Sequence, residues 1–259
     1  MIWLLALQLT VGPTQHYENA KEDFAQKKYS EAVSEVDSAL HENPYMVPAL
    51  VLKARLSTFA HRPDIARSCL ITAITADPTS EEAQFYLGAL FYEQNDFKLA
   101  IPPLQKAQAL SPESPLPAFY LAMTYEALRD QTKALELYQR AEDISPEKSM
   151  LHAEILVAYG RCLLSLGRIQ DSIEKNRRAI EIDPGSRDAH YQLAKGLDDE
   201  GEFKTAAIEG ERALTLPALN TGDAKIHYLL AGLYRKLNQP ALAKTHMEEF
   251  LAARQTTLR

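Results

Sequence analysis

The chain has no excess of positive charge, and it lacks the motifs that most often announce an enzyme. Twenty-eight lysines and arginines stand against 35 aspartates and glutamates, a net charge of −7. A nucleic-acid surface shows as a basic stripe or a high isoelectric point, so no nucleic-acid partner is expected. There is no His-Glu-x-x-His, no Gly-x-Ser-x-Gly, no phosphate-binding glycine loop and no Cys-x-x-Cys. Those absences remove the common signatures of zinc proteases, α/β-hydrolases, nucleotide hydrolases and dithiol redox centres. The expectation is a non-enzyme that needs no cofactor and no metal. No apolar run reaches the roughly 20 residues that span a bilayer, so no stable membrane span is expected. Gly/Ser linkers and strand-like alternation are missing too. Hydrophobic residues make up 46%, and the periodic ones are spaced for helices. One uninterrupted all-α domain follows.

What the chain does have is a period. Pro44, Pro78, Pro112, Pro146 and Pro184 fall 34, 34, 34 and 38 residues apart, and Pro217 follows after 33 more. Regular spacing of this kind marks one supersecondary unit copied and stacked. Small residues ride on it. The eighth position of each copy is Ala20, Ala54, Gly88, Ala122, Gly160, Ala194 or Ala231. The twentieth is Ala32, Ala66, Ala100, Ala134, Ser172, Ala206 or Ala243. The twenty-seventh is Ala39, Ala73, Ala107, Ala141, Ala179 or Ala213, and Phe250 breaks the rule in the last copy. Small side chains let helices cross at the near end of their usual separation of about 8–10 Å. A proline ends the second helix because it cannot extend the ladder of backbone bonds.

With Leu87-Gly88, Phe91-Tyr92, Phe97, Ala100, Leu104, Ala107 and Pro112 in order, the third copy closely resembles the 34-residue tetratricopeptide (TPR) pattern. The resemblance implies an α-solenoid, a right-handed superhelix of antiparallel helix pairs. Seven repeats are expected at 13–46, 47–80, 81–114, 115–148, 153–186, 187–220 and 224–257.

In this family the first helix of each pair, helix A, lines an inner groove that holds a partner protein. The implied groove residues are Tyr17 in the first repeat and Val51 and Arg55 in the second. Phe85, Tyr86 and Tyr92 follow in the third, and Phe119, Tyr120 and Met123 in the fourth. Tyr191 and Lys195 in the sixth and Tyr228 in the seventh complete the set. The thirteenth position of helix A counts among the lining positions, and Glu93 occupies it in the third repeat. Tyrosine offers rigid contact area with a polar tip, which suits peptide anchoring. The expected function is a non-catalytic scaffold that binds an extended protein or peptide segment, with envelope assembly or secretion as fitting settings. The alternative is a structural module that self-associates through its C-terminal helix, where Leu242, Met247, Phe250 and Leu251 are apolar. Family members that hold the acidic tails of molecular chaperones use a clamp of lysine, asparagine and arginine over three successive repeats. Here Tyr17 and Lys21, then Glu82 and Tyr86, stand at clamp positions, so that ligand is not expected.

Several smaller features carry expectations. His16, His190 and His227 share the fourth position of helix A and are read as packing residues, because a metal needs three or four convergent ligands. Asp198-Asp199-Glu200 reads as a solvated helix end, and Lys175, Arg177 and Arg178 as a solvated helix face. Cys69 and Cys162 lie too far apart along a solenoid to pair. Pro102-Pro103 should kink or tighten the start of their helix. The extra residues at 147–152 should add about one helical turn, and those at 218–222 a turn between helices. Residues 1–12 read either as the remnant of a signal peptide, cut after Gly12, or as an apolar cap on the first repeat. The first reading favours an exported or periplasmic location, the second a cytoplasmic one.

Overall fold

The computed structural model describes residues 12–217 and 221–257. Among them lie fourteen α-helices and no strand. Six A–B pairs pack within the units, the first three being α1 (Pro13–Ala25) with α2 (Tyr29–Glu42), α3 (Val47–Phe59) with α4 (Pro63–Ala76), and α5 (Glu81–Glu93) with α6 (Phe97–Leu110). Next in the chain come α7 (Pro115–Ala127) and α8 (Gln131–Ile144), and then α9 (Met150–Ser165) paired with α10 (Ile169–Ile182). The last are α11 (Arg187–Glu200) with α12 (Phe203–Leu214) and α13 (Asp223–Lys236) with α14 (Pro240–Thr257). The helices group into two compact units, one ending at Thr124 and the other starting at Tyr125.

The small residues do what their spacing predicts. Every alanine at the eighth, twentieth and twenty-seventh positions is between 0% and 6% exposed. A Cβ placed on Gly88 of α5 would lie 2.4 Å from Leu104 Cγ of α6, and one on Gly160 of α9 would lie 2.5 Å from Asn176 Nδ2 of α10. The two helices of a pair meet there at backbone distance. Larger side chains fill the flanks: Leu70 and Leu90 are buried in the first unit, and Ile173, Leu197, Ile226 and Leu230 in the second.

Each A helix ends the same way. Lys27, His61, Asn95, Arg129, Gly167, Gly201 and Asn238, all fifteenth in their repeats, take positive φ. The next residue's N–H reaches back five residues, as from Lys28 to Asp23 O (2.8 Å) and from Arg168 to Leu163 O (3.0 Å). A left-handed cap of this form satisfies carbonyls that a helix end otherwise leaves open. The B-to-A connections use another device. Asn43, Asp77 and Asp183 precede their prolines, and each side chain accepts from the N–H two residues on, at 3.3, 2.9 and 3.0 Å.

The irregular places resolve in physical terms. α9 is 16 residues long against 13 in α1, α3, α5 and α7, and it starts at Met150, where Ser149 Oγ accepts from His152 N–H at 3.0 Å. The added residues thus lengthen that helix by nearly a turn. α6 runs unbroken through Pro102 and Pro103. Its first turn is tightened, with Leu99 N–H bonding three residues back to Asp96 O at 2.8 Å. The apolar run at 2–9, the small residues at 10 and 11, and Ala218, Leu219 and Asn220 lie outside the described residues.

Candidate functional site

Three A helices of the first unit converge on one pocket. α3 contributes Arg55 and Phe59, α5 contributes Phe85, Tyr86 and Glu93, and α7 contributes Tyr120. The cavity measures about 480 Å³ and its walls are mostly apolar. Arg55, Phe85, Tyr86 and Tyr120 are four of the groove residues named from the sequence. Packing between successive A helices sets the aromatic wall. Tyr120 meets Phe85 edge-on at 5.2 Å and Tyr92 at 5.7 Å, and Phe85 meets Tyr86 at 5.2 Å. On the other side, Phe24 of α1 meets Phe59 at 5.8 Å, and Tyr29 stacks on Phe59 at 5.7 Å. Such ring pairs hold the wall rigid.

The charged groups of the pocket are not paired with one another. The Arg55 guanidinium carbon lies 4.8 Å from the Phe24 centroid and 5.1 Å from that of Tyr86, within cation–π range. Partial burial raises the pKa of the Glu93 carboxyl, although the residue as a whole stays exposed. Burial likewise raises the Tyr86 phenol, an effect Arg55 opposes.

Family models described as Tetratricopeptide repeat match residues 51–115 and 151–187, 118–147, and 224–257, together well over half of the chain. The chain belongs to the tetratricopeptide repeat family. Its helices form an all-α TPR solenoid, a fold that serves in general as a protein–protein interaction scaffold. Among solved structures it is similar to a chain of the APC/C hetero-tetramer Cut9–Hcn1, with a TM-score of 0.76 and 18% identity over 87% of this chain. It spans only 44% of that chain. A tetratricopeptide repeat protein from Parabacteroides merdae matches at a TM-score of 0.68 and 12% identity, over 93% of both chains. YrrB, described as a TPR protein with an unusual peptide-binding site, matches at 0.55 and 20% identity, over 70% of this chain and 91% of its own. No curated protein matches the sequence.

The remaining groove residues of this TPR chain divide by exposure. Val51 is 2% exposed within the core of the second repeat, and Phe119 is 7% exposed. Val51 therefore offers a partner almost no surface, which corrects its placement in the groove. Tyr17 packs against the first-repeat core, with Lys21 Nζ 5.4 Å from its ring centroid. Met123 is half-buried. In the second unit, Lys195 lies over Tyr191 at 5.8 Å, and Tyr228 is 57% exposed beside Phe250 at 5.2 Å. Sequence reasoning missed Phe59 and His61. Phe59 stands at the thirteenth position of helix A, so its signal was present, whereas His61 enters from the A–B turn.

Several charged side chains turn out to be committed. Arg161 pairs with Glu126 at 3.0 Å, and Tyr138 donates to the same carboxylate at 2.5 Å. Lys175 and Arg178 both grip the buried Glu142, at 2.7 and 2.8 Å. Arg177 is exposed as a solvated face would require, and the Arg178 side chain is partly so, whereas Lys175 is mostly covered. Asp198 pairs with Lys236 at 2.5 Å rather than ending a helix free in solvent.

The three fourth-position histidines each turn to helix B of their own repeat, 19 residues on. His16 donates to Glu35 and His190 to Glu209, both at 2.6 Å, and His227 shares a hydrogen bond with His246 at 2.9 Å. Among the described residues no three His, Cys, Asp or Glu converge as a metal site needs, and no helix is long and apolar enough to cross a membrane.

Proposed function

We propose that this protein is a non-catalytic scaffold that holds an extended segment of a partner protein along its A helices, with the α3–α5–α7 pocket as the main anchor. The observation that carries the reading is the convergence of Arg55, Phe85, Tyr86 and Tyr120 on one aromatic-walled cavity of about 480 Å³. That volume lies in the range of about 300–1,000 Å³ typical of ligand pockets. A TPR relative of the same fold, YrrB, has a peptide-binding site, which fits this use of the fold without identifying a partner. The proposal includes a setting in envelope assembly or secretion, and that part rests on analogy with bacterial TPR proteins alone.

Self-association through α14 has weaker support. Leu242 and Leu251 are 43% and 50% exposed, but nine residues at about 100° each put them on opposite sides of the helix. They do not make one apolar stripe.

The test is a Tyr86→Ala, Tyr120→Ala double variant probed with a random-sequence peptide array. Peptide capture should fall while far-ultraviolet circular dichroism and the melting temperature hold. Capture equal to that of the parent protein would refute the assignment of this pocket, and loss of helicity would show that both tyrosines are core.

A further inference from the structure

Arg55 sits in an unusual state for a surface cation. Its neighbours are paired: Lys53 on the same helix reaches Asp37 at 2.8 Å, and Lys21 reaches Glu18 at 3.0 Å. No carboxylate or carbonyl among the described residues takes a hydrogen bond from Arg55. Two rings hold its guanidinium instead, Phe24 at 4.8 Å and Tyr86 at 5.1 Å. Ring contacts use the faces of a guanidinium and leave its N–H edges available for a planar anion. They also restrict the side chain in advance, so a ligand that takes those edges loses less side-chain entropy on binding.

We propose that Arg55 receives the carboxylate of a single acidic residue in the bound segment, beside a bulky apolar residue that fills the pocket. This rests on the groove reading above and specifies its partner. The apolar walls supply a site for the large side chain, and the unpaired guanidinium on the same lining supplies the complementary charge. Glu93 lines that pocket too, and among the described residues no ion pair joins it to Arg55. Its negative charge disfavours a second acid, so the pocket selects one carboxylate rather than an acidic run. A basic ligand is the opposite possibility for aromatic walls. Arg55 already occupies the cation position on Tyr86 and repels a second cation there.

The test uses the full chain and three series of short synthetic peptides, in which a central Phe or Leu has a single Asp, Asn or Lys beside it. Fluorescence anisotropy should show the Asp series binding about tenfold or more tightly than the Asn series, with the Lys series weakest. Arg55→Gln should bring the Asp series down to the Asn level, Arg55→Lys should keep part of the difference, and Glu93→Gln should leave it equal or larger. Equal affinities for Asp and Asn peptides in the parent protein overturn the proposal and leave the groove reading standing. A preference for Lys peptides that Glu93→Gln abolishes overturns it as well. Binding of none of the three series removes both. The comparison among peptides on the parent protein holds whether or not a variant folds.

Discussion

Arg187, the first residue of α11, donates to the main-chain oxygen of Leu216 at 2.8 Å from a side chain that is only 5% exposed. The same guanidinium pairs with Asp223, the first residue of α13. One buried cation therefore ties together the two sides of the longest connection between described helices, just after α12 and at the start of α13. Arg187→Ala should cost about 2–3 kcal/mol, since it removes charge-assisted bonds and leaves a carbonyl open. Asp223 is 58% exposed, so Asp223→Asn should cost under about 1 kcal/mol. Urea midpoints of the two variants check the ranking, and equal shifts would refute it.

Stability should fall on both sides of a plateau. Burial raises the Cys162 thiol from 9.0 to about 11. Burial and the bond to Glu211 raise the Tyr234 phenol from 10.0 to about 12. Groups raised on folding contribute stability that is whole below their unfolded values and lost as pH climbs through the folded ones, here from about 9 to 12. Burial lowers His152, and burial together with His246 lowers His227, both from 6.5. Their contribution is whole above 6.5 and lost as pH drops below it. A pH series of urea midpoints should show this plateau, and Tyr234→Phe should flatten its alkaline edge. An unchanged alkaline edge in that variant would remove Tyr234 from the account.

The two thiols should resist modification in the native state. Cys69 is 8% exposed and Cys162 0%, and burial raises both thiol pKa values. The thiolate is the reactive form. An aromatic disulfide reagent at pH 8 should label neither at an appreciable rate, and both in urea. Rapid labelling of Cys162 would contradict the packing around α9.

The left-handed turn position predicts a stabilising substitution. Arg129 holds φ at 64°, which costs a side-chain-bearing residue roughly 1–2 kcal/mol. Glycine avoids that cost but loses more entropy on folding, about 0.5–1 kcal/mol. Arg129→Gly should therefore raise stability by a few tenths to about 1 kcal/mol. Gly201→Val, at φ 90°, should lower it by about 1–3 kcal/mol. Thermal melts decide, and a destabilised Arg129→Gly would mean that the arginine side chain matters more than its backbone.

Much of the architecture was legible in the sequence because it rests on residue size. A small residue at three positions of nearly every repeat is a direct record of where helices touch, and Pro13, Pro63, Pro115 and Pro240 each stand first in a helix. The histidine pairs were not legible, because their partners stand 19 residues on in the sequence and only the αα-hairpin brings the fourth position opposite the twenty-third of its own repeat. The shared left-handed cap escaped notice for another reason. Its bonds are made by backbone atoms, so lysine, histidine, asparagine, arginine and glycine all occupy the position and leave no common letter. In the pocket, the aromatic wall could be read from helix A positions, but Val51 shows that position alone does not separate a groove residue from a core one.

The uniform A–B turns have a consequence for engineering. Every A helix is closed by the same backbone cap, whereas the extra residues at 147–152 are absorbed at a B-to-A junction, in the connection from α8 and the first turn of α9. Length is therefore free at one kind of junction and fixed at the other. A guest peptide placed at Glu147-Lys148, both exposed, should be accepted, because surface connections lengthen at small entropic cost. The same guest at Lys27-Lys28 would break the cap and open the hairpin it closes.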